Sequence, residues 1–250
     1  MRRFFIEQSE TTGPEPFITG TDATHIKKVL RLSEGDIIFL FDGTGTEYKA
    51  RIMSFTDVSV KVSIIRSYIS KPESPVHITL AQAFLKLKKM DGLVRQLTEL
   101  GINKWIPVIT ERSVTRPDNN RLVARISRWK EISKQALKQC NRSRMMTINQ
   151  AISFENVLDI SKQSSLKILF WENEPKPFNP ALLQCNGNFN NIFIMIGPEG
   201  GFTLKEVEKA KTCGFITASL GPRILRAETA TIAASVLIQS IFGDITIKNS

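Results

Sequence analysis

Over Glu47–Ile52 and Val58–Ile64 the chain keeps a period of two, and beyond Pro75 short apolar runs alternate with helical spacing. That change of period constrains the fold more than any other feature. Asp36-Ile-Ile-Phe-Leu-Phe41 is a short apolar run that ends at Asp42-Gly-Thr-Gly45, a glycine-rich turn. Tyr48, Ala50 and Ile52 then alternate with Glu47, Lys49 and Arg51, and Val58, Val60, Val62 and Ile64 alternate with Ser59, Lys61 and Ser63. One apolar face per strand predicts half-buried strands, enough for a small barrel. Gly43-Thr-Gly45 lies between two strands with no helix after it, so it is a hairpin turn and not a nucleotide loop.

Two prolines among polar residues, in Ser70-Lys-Pro-Glu-Ser-Pro75, mark a linker. It divides a β-barrel domain over 1–70 from a second domain over 75–250. In the second, Val76 to Phe84 reads as a buried strand. Met90, Leu93, Val94 and Leu97 recur at helical spacing before Gly101, and Trp105 to Ile109 is strand-like again. Strands alternating with helices predict an α/β domain with a largely parallel sheet. A long helix is predicted from Asn119 to Cys140, with Leu122, Ile126, Trp129, Ser133, Leu137 and Cys140 down one side. Its other faces and the segment after it carry Arg121, Arg125, Arg128, Lys130, Lys134, Lys138, Arg142 and Arg144, against one acid, Glu131. Like charges so close repel unless a polyanion offsets them, which points to an RNA-facing surface.

The whole chain has the same bias: 34 Lys and Arg against 24 Asp and Glu give a net charge of +10. Such a surplus favours a nucleic-acid partner, because each neutralised phosphate releases counterions. Cys140, Cys185 and Cys213 have no paired spacing, and with only His25 and His77 they make no zinc site, so no metal is expected. No apolar run reaches the roughly 18 residues of a membrane span. Met1-Arg-Arg-Phe-Phe-Ile-Glu7 meets a glutamate too early for a signal peptide, so a cytoplasmic location is expected.

Two segments carry the chemistry. Ile192-Phe-Ile-Met-Ile196 is a buried strand, followed by Gly197-Pro-Glu-Gly-Gly201, Phe202 and Thr203-Leu-Lys-Glu206. Thr203 and Glu206 have capping-box spacing, so a helix starts at Leu204. A strand, a glycine loop and a helix N-terminus together present backbone N–H groups to a ligand, although the loop lacks a P-loop lysine. At Gly200 a glycine would permit close backbone approach. The second segment runs from the strand end Ala218-Ser-Leu220 through Gly221-Pro-Arg-Ile-Leu-Arg226 to Ala227-Glu-Thr-Ala230. Thr231 to Phe242 follows as a helix apolar on nearly every side, to be buried in its own domain or against a second subunit. Two such loops at neighbouring strand ends would form a crevice of the kind open α/β sheets offer to ligands.

Ile196-Gly-Pro-Glu-Gly-Gly-Phe202 and Leu220-Gly-Pro-Arg-Ile-Leu-Arg-Ala-Glu-Thr-Ala230 closely resemble the signature of the RsmE family, the 16S ribosomal RNA uracil-N3 methyltransferases of the SPOUT superfamily. Thr98-Glu-Leu-Gly101, Glu111-Arg-Ser113, Gln139 and Arg142 match as well. Arg2-Arg-Phe-Phe5 and His25-Ile-Lys-Lys-Val-Leu-Arg31 resemble that family's small PUA-like barrel. Met146 departs from the family, which carries proline there.

The resemblance implies a PUA-like barrel followed by a SPOUT domain with a trefoil knot, a homodimer, and S-adenosylmethionine bent into the knotted loops. Carried over by motif, its pocket comprises Ile196, Gly197, Pro198, Glu199, Gly200 and Gly201, then Leu220, Gly221, Ile224, Leu225, Arg226 and Thr229. Leu169 and Glu172 form a third wall at the end of the strand Leu166 to Trp171. Uracil N3 must lose its proton to become a nucleophile. Arg226 is the candidate cation for the uracil anion, with Glu199 or Glu228 as candidate base. The phosphate backbone would lie along Arg121, Arg125, Arg128, Arg142 and Arg144, and along Lys27, Lys28 and Arg31 of the barrel. Two other readings stay open on the sequence: a different SPOUT methylation, on ribose 2′-O or on transfer RNA, and a non-catalytic RNA-binding assembly factor.

Overall fold

The computed structural model describes residues 2–11, 13, 16–70, 73–113, 119–180 and 189–245. The chain forms two compact units. One contains Met1–Pro72 and Lys134–Met145, the other Glu73–Ser133 and Met146–Ser250.

In the first unit, β1 (Arg3–Phe5), α1 (Gln8–Thr11), β2 (Phe17–Thr19) and α2 (Gly20–Thr24) precede a π-helical turn, His25–Val29. Then come β3 (Ile37–Phe41), β4 (Thr46–Phe55) and β5 (Ser59–Ile69). The sheet order is β1-β3-β4-β5-β2, parallel at β1–β3 and antiparallel elsewhere. The alternation seen in the sequence sets the core: Ile38, Leu40, Ala50, Ile52, Val60 and Val62 all point inward, onto Phe4 and Ile26. Register shifts at Lys49/Ala50 and Ile52/Ser54 mark bulges that bend β4 against β5. The β3–β4 hairpin turn has Gly43 and Gly45 at φ of 84° and 103°, and Asp42 Oδ1 accepts from Thr44 N at 2.8 Å.

Lys134–Met145, which the linker-based boundaries assign to 75–250, lies in this first unit. The cause is Arg3. Its buried guanidinium donates to the carbonyls of Leu137 and Arg142, each at 2.7 Å, and to Ser143 Oγ at 2.6 Å. It also pairs with Glu47 at 3.0 Å and stacks 4.1 Å over the Phe41 ring. A buried cation needs acceptors, and this returning segment supplies them. Chain order alone could not show that.

The second unit contains β6 (His77–Ala83), α3 (Leu87–Glu99), β7 (Lys104–Ile109) and α4 (Asn119–Cys140) as far as Ser133. It continues with β8 (Thr147–Ile148), β9 (Ile152–Ser153), α5 (Phe154–Ser161), β10 (Leu166–Phe170) and β11 (Asn191–Ile196). The last elements are α6 (Leu204–Thr212), β12 (Ile216–Ala218) and α7 (Ala227–Phe242). The strands run β12-β10-β11-β6-β7-β8, with β9 also on β7, and every pair is parallel. Successive residues face opposite layers. Ile192, Ile194 and Ile196 pack with Met90, Leu97, Trp129 and Ile238 from α3, α4 and α7, whereas Phe193 and Met195 pack with Val157 and Val207 from α5 and α6. Met146, at the departure from the family pattern, is itself buried in the first of these layers.

Helix starts follow local signals. Thr203 accepts from Glu206 N at 3.3 Å while Glu206 returns an acceptor to Thr203 N at 2.9 Å, so α6 begins at Leu204. The apolar C-terminal helix begins at Ala227, four residues before the start set by apolarity, because Ala227 to Ala230 already complete its first turn. Sheet order departs from expectation. The two glycine loops do not leave neighbouring strands, since β10 lies between β11 and β12.

Candidate functional site

Because β10, β11 and β12 are parallel, the loops after them open on one edge of the sheet. Between these loops lies a cavity of about 640 Å³. Phe170 to Asn173 form one wall, Ile196 to Gly201 the second, and Ser219 to Ala227 the third; Lys89 and Ala230 close it from α3 and α7. Of the pocket residues expected from sequence, Glu172, Ile196, Gly197, Pro198, Glu199, Gly200 and Gly201 line it, as do Leu220, Gly221, Ile224, Leu225 and Arg226.

Leu169 and Thr229 do not. Leu169 alternates with the inward-facing Ile168 and Phe170, and is wholly buried in the opposite layer with Phe193. Thr229 is exposed on the first turn of α7, between the buried positions Ala227 and Thr231.

Gly201 is the tightest point of the site. Its φ is +67°, its N–H closes a turn onto Pro198 O at 3.0 Å, and a Cβ there would fall 1.9 Å from Glu172 Oε1. Only glycine brings these two walls so close. Gly200, where the sequence suggested close approach, is less demanding. A Cβ would meet Arg112 Cβ at 3.4 Å, an ordinary contact, and Arg112 Nη1 donates to Gly200 O at 3.0 Å.

The polar framework includes residues the sequence reading missed. Gln82, fully buried at the end of β6, donates to Gly197 O at 3.3 Å and accepts from the Thr231 hydroxyl on α7. It thus fixes the first glycine of the loop to two other elements. Lys89 Nζ lies 3.0 Å from Glu228 Oε2 and 3.2 Å from Glu199 Oε1. The hydrogen bond to Glu228 is the main reason the Lys89 ammonium titrates above its ordinary value of 10.5. Burial pushes the Glu228 carboxyl up, but hydrogen bonds from its own backbone and from Lys89, with the charges of Lys89 and Arg226, outweigh it. Glu228 therefore titrates below 4.5. No motif spacing marks Gln82 or Lys89; packing of α3 on α7 and the sheet order bring them to the loop. Arg226 occupies the N-cap position of α7 without capping it, exposed at the cavity rim, and Ile224 beside it is 82% exposed.

The expected RNA-facing cations are divided between the units. Lys27, Lys28, Arg31, Arg142 and Arg144 belong to the first, and Arg125 and Arg128 to the second; the side chain of Arg121 lies outside the described residues. Lys27 donates to the carbonyls of Thr56 and Asp57, which ties down the β4–β5 turn. Arg128 pairs with Asp91 at 2.8 Å. Lys28, Arg31 and Arg144 are exposed. Cys185 also lies outside the described residues, and among those described no cluster of His, Cys, Asp and Glu could hold a metal. No described helix is long and apolar enough to cross a membrane.

A family model of an RNA methyltransferase domain matches residues 72–239, and one of an RNA methyltransferase PUA domain matches residues 18–64. The ribosomal RNA small subunit methyltransferase E of Bacillus subtilis is 31% identical over 94% of this chain and 94% of its own length. The chain belongs to the ribosomal RNA small subunit methyltransferase E family. Solved members of similar shape include the Neisseria gonorrhoeae enzyme bound to S-adenosylmethionine. It is 31% identical, with a TM-score of 0.85 over 98% of this chain and 100% of that one. A Legionella pneumophila methyltransferase in complex with the same cofactor is 29% identical, with a TM-score of 0.87 over 98% and 99% of the two chains. In this chain the two signature motifs build two of the cavity's three walls, and Phe170 to Asn173 build the third.

Proposed function

We propose that this chain methylates N3 of a uridine in 16S ribosomal RNA with S-adenosylmethionine, in the cytoplasm, as a homodimer. The glycine-walled cavity carries this reading. At about 640 Å³ it falls within the roughly 300–1,000 Å³ usual for cofactor sites. Its loops offer backbone groups at Gly197–Gly201 and Leu220–Leu225, and Glu172 and Glu199 add carboxylates that suit a cationic ligand. Relatives of Neisseria and Legionella that match over the full chain hold S-adenosylmethionine. When bound, that cofactor supplies an activated methyl group on a sulfonium. The trefoil knot belongs to the same proposal, supported by the interleaved strand order that brings three loops to one opening.

The chain's own residues have three tasks. Ile196, Leu220, Leu225 and Ala230 exclude water from the reacting centre, where solvent would stabilise separated charges. Arg226 faces the uracil carbonyls and stabilises the anion left when N3 loses its proton. Lys89 holds Glu199 and Glu228 together across the mouth. The Lys89 ammonium helps hold the Glu228 carboxyl below its ordinary value, which makes Glu228 a weak base, and Glu199 is salt-bridged to the same ammonium. N3 therefore gives its proton to water before the uridine closes the dry pocket. Methylation of N3 also requires the target uridine to be unpaired or flipped out. Exposed Lys28, Arg31 and Arg144 contribute phosphate contacts, with Arg142 in the same unit and Arg125 and Arg128 in the other. For the dimer, α7 leaves Val236 exposed and Ile232 and Leu237 half-buried, an apolar strip suited to a second copy.

Calorimetry tests the reading of the cavity. S-adenosylmethionine binds the parent, ATP does not, and Gly201→Val abolishes binding. Equal affinity of parent and variant would remove the glycine loop from the cofactor site.

A further inference from the structure

We propose that the part of the outer face of the β3-β4-β5 sheet beyond Phe41 and Glu47, which Arg3 and Ser143 cover, binds single-stranded RNA, with Phe39 as a stacking surface and Lys49, Arg51 and Arg66 as phosphate contacts. The inference rests on the proposed RNA substrate and adds a surface that neither signature motif contains.

The face follows from strand geometry. On β4, Tyr48, Ala50 and Ile52 point into the core, which turns Lys49 and Arg51 outward. In register, Phe39, Lys49 and Arg66 stand side by side across β3, β4 and β5, and Arg51 heads the next row between Ile37 and Ser63. Phe39 is 37% exposed, although its strand neighbours Ile38 and Leu40 are fully buried.

Two features of this row oppose stability. A phenyl ring is left about a third exposed, and two cations, Lys49 and Arg66, stand directly opposite each other, an arrangement that destabilises a strand pair. Among the described residues, no carboxylate pairs with Lys49, Arg51 or Arg66. The bordering acids are already engaged, Glu47 with Arg3 at 3.0 Å and Asp36 with Arg2 at 3.2 Å. The Arg66 guanidinium itself lies 5.5 Å over the Tyr68 ring.

A polyanion whose units also carry flat rings satisfies all of these groups at once. Phosphates neutralise the cations, and a base stacks on Phe39. Sheets that expose aromatics among cations bind single strands in this way, with little demand on sequence. An acidic protein would satisfy the cations and leave the ring without a partner. The match of residues 18–64 to an RNA methyltransferase PUA domain places most of this face within a module of that class.

Binding of the full-length chain to an oligouridine of about 12 nucleotides, and to 16S ribosomal RNA, is measured across a range of salt. Phe39→Ala should weaken oligouridine binding about tenfold with its salt slope unchanged, and Phe39→Tyr should restore it. Lys49→Gln and Arg66→Gln should each flatten the slope by about 0.7. Neither glutamine variant should lower the melting temperature, because each removes a repulsive pair. Cofactor binding should stay at the parental value throughout.

Parental affinity and slope in all three loss variants would overturn the inference while leaving the proposed function standing. So would variants that bind RNA normally but lose affinity for intact small subunits, since the face would then meet protein. A parent that binds oligouridine but methylates no ribosomal RNA would overturn the proposed function instead.

Discussion

Gly201→Ala isolates the closest approach in the cavity. At φ of +67° the backbone lies in the left-handed region, where a residue with a Cβ costs about 1–2 kcal/mol. The new Cβ would also fall 1.9 Å from Glu172 Oε1 and 2.8 Å from its carboxyl carbon, so Glu172 must leave its present position. Displacing it to a poorer rotamer adds about 0.5–1.5 kcal/mol. The sum, about 1.5–3.5 kcal/mol, corresponds to a fall in melting temperature of roughly 3–14 °C at the 2–4 °C per kcal/mol typical of this chain length. In a Glu172→Ala background only the backbone part should remain. A double-mutant cycle should therefore return a coupling of about 0.5–1.5 kcal/mol between the two positions. Thermal melts of the parent, both single variants and the double variant measure it. If Gly201→Ala melts with the parent, or costs the same in both backgrounds, the steric reasoning is wrong.

Lys89→Met should open the mouth of the cavity and weaken cofactor affinity, measured by calorimetry. Its contribution has a pH window. The raised Lys89 value makes the clamp fail as pH rises above 10.5, and the lowered Glu228 value makes it fail only once pH falls below 4.5, so affinity should hold flat between these limits. Glu228→Gln should reduce single-turnover methylation by less than tenfold, against the roughly 10²–10⁴-fold expected for loss of a general base; a loss in that range would restore Glu228 to the base's role. Gln82→Leu leaves the Gly197 carbonyl without its side-chain donor, while the Thr231 hydroxyl keeps its bond to Ala227 O at 2.7 Å, and should destabilise the fold by about 1–3 kcal/mol in denaturant melts; a parental midpoint would show that the network carries no weight. Arg226→Ala should lower turnover far more than RNA affinity, whereas Arg144→Ala should lower affinity and flatten its salt slope by about one unit. Light scattering at micromolar concentration should give the mass of a dimer, and a monomeric mass would contradict the assignment of α7.

Where the determinants were local, the sequence carried them. The period of two from Tyr48 to Ile52 gave the inward face of β4, the Thr203–Glu206 box placed the start of α6, and Asn119–Cys140 is the helix that its apolar stripe predicts. Both glycine motifs line one cavity, although they leave strands separated by β10. What stayed hidden depends on contacts between residues distant in sequence. Lys89 reaches Glu228 only because α3 packs on α7, and Gln82 reaches Gly197 only because β6 lies beside β11. Lys134–Met145 joins the first unit through Arg3 on its carbonyls and through the pairs Lys138–Asp22 and Lys134–Glu7, partners more than 100 residues apart that no local pattern links. Leu169 and Thr229 sit inside pocket-forming segments, and their own alternation and helical phase turn them away.

The most direct test of the central claim is the position of the added methyl. Small subunits or 16S ribosomal RNA incubated with the parent and S-adenosylmethionine, then digested to nucleosides and resolved by mass spectrometry, should contain 3-methyluridine at one site, and the Arg226→Ala variant should leave that site largely unmodified. A methyl on ribose 2′-O, on another base or on transfer RNA alone, or no methyl at all, would contradict the account.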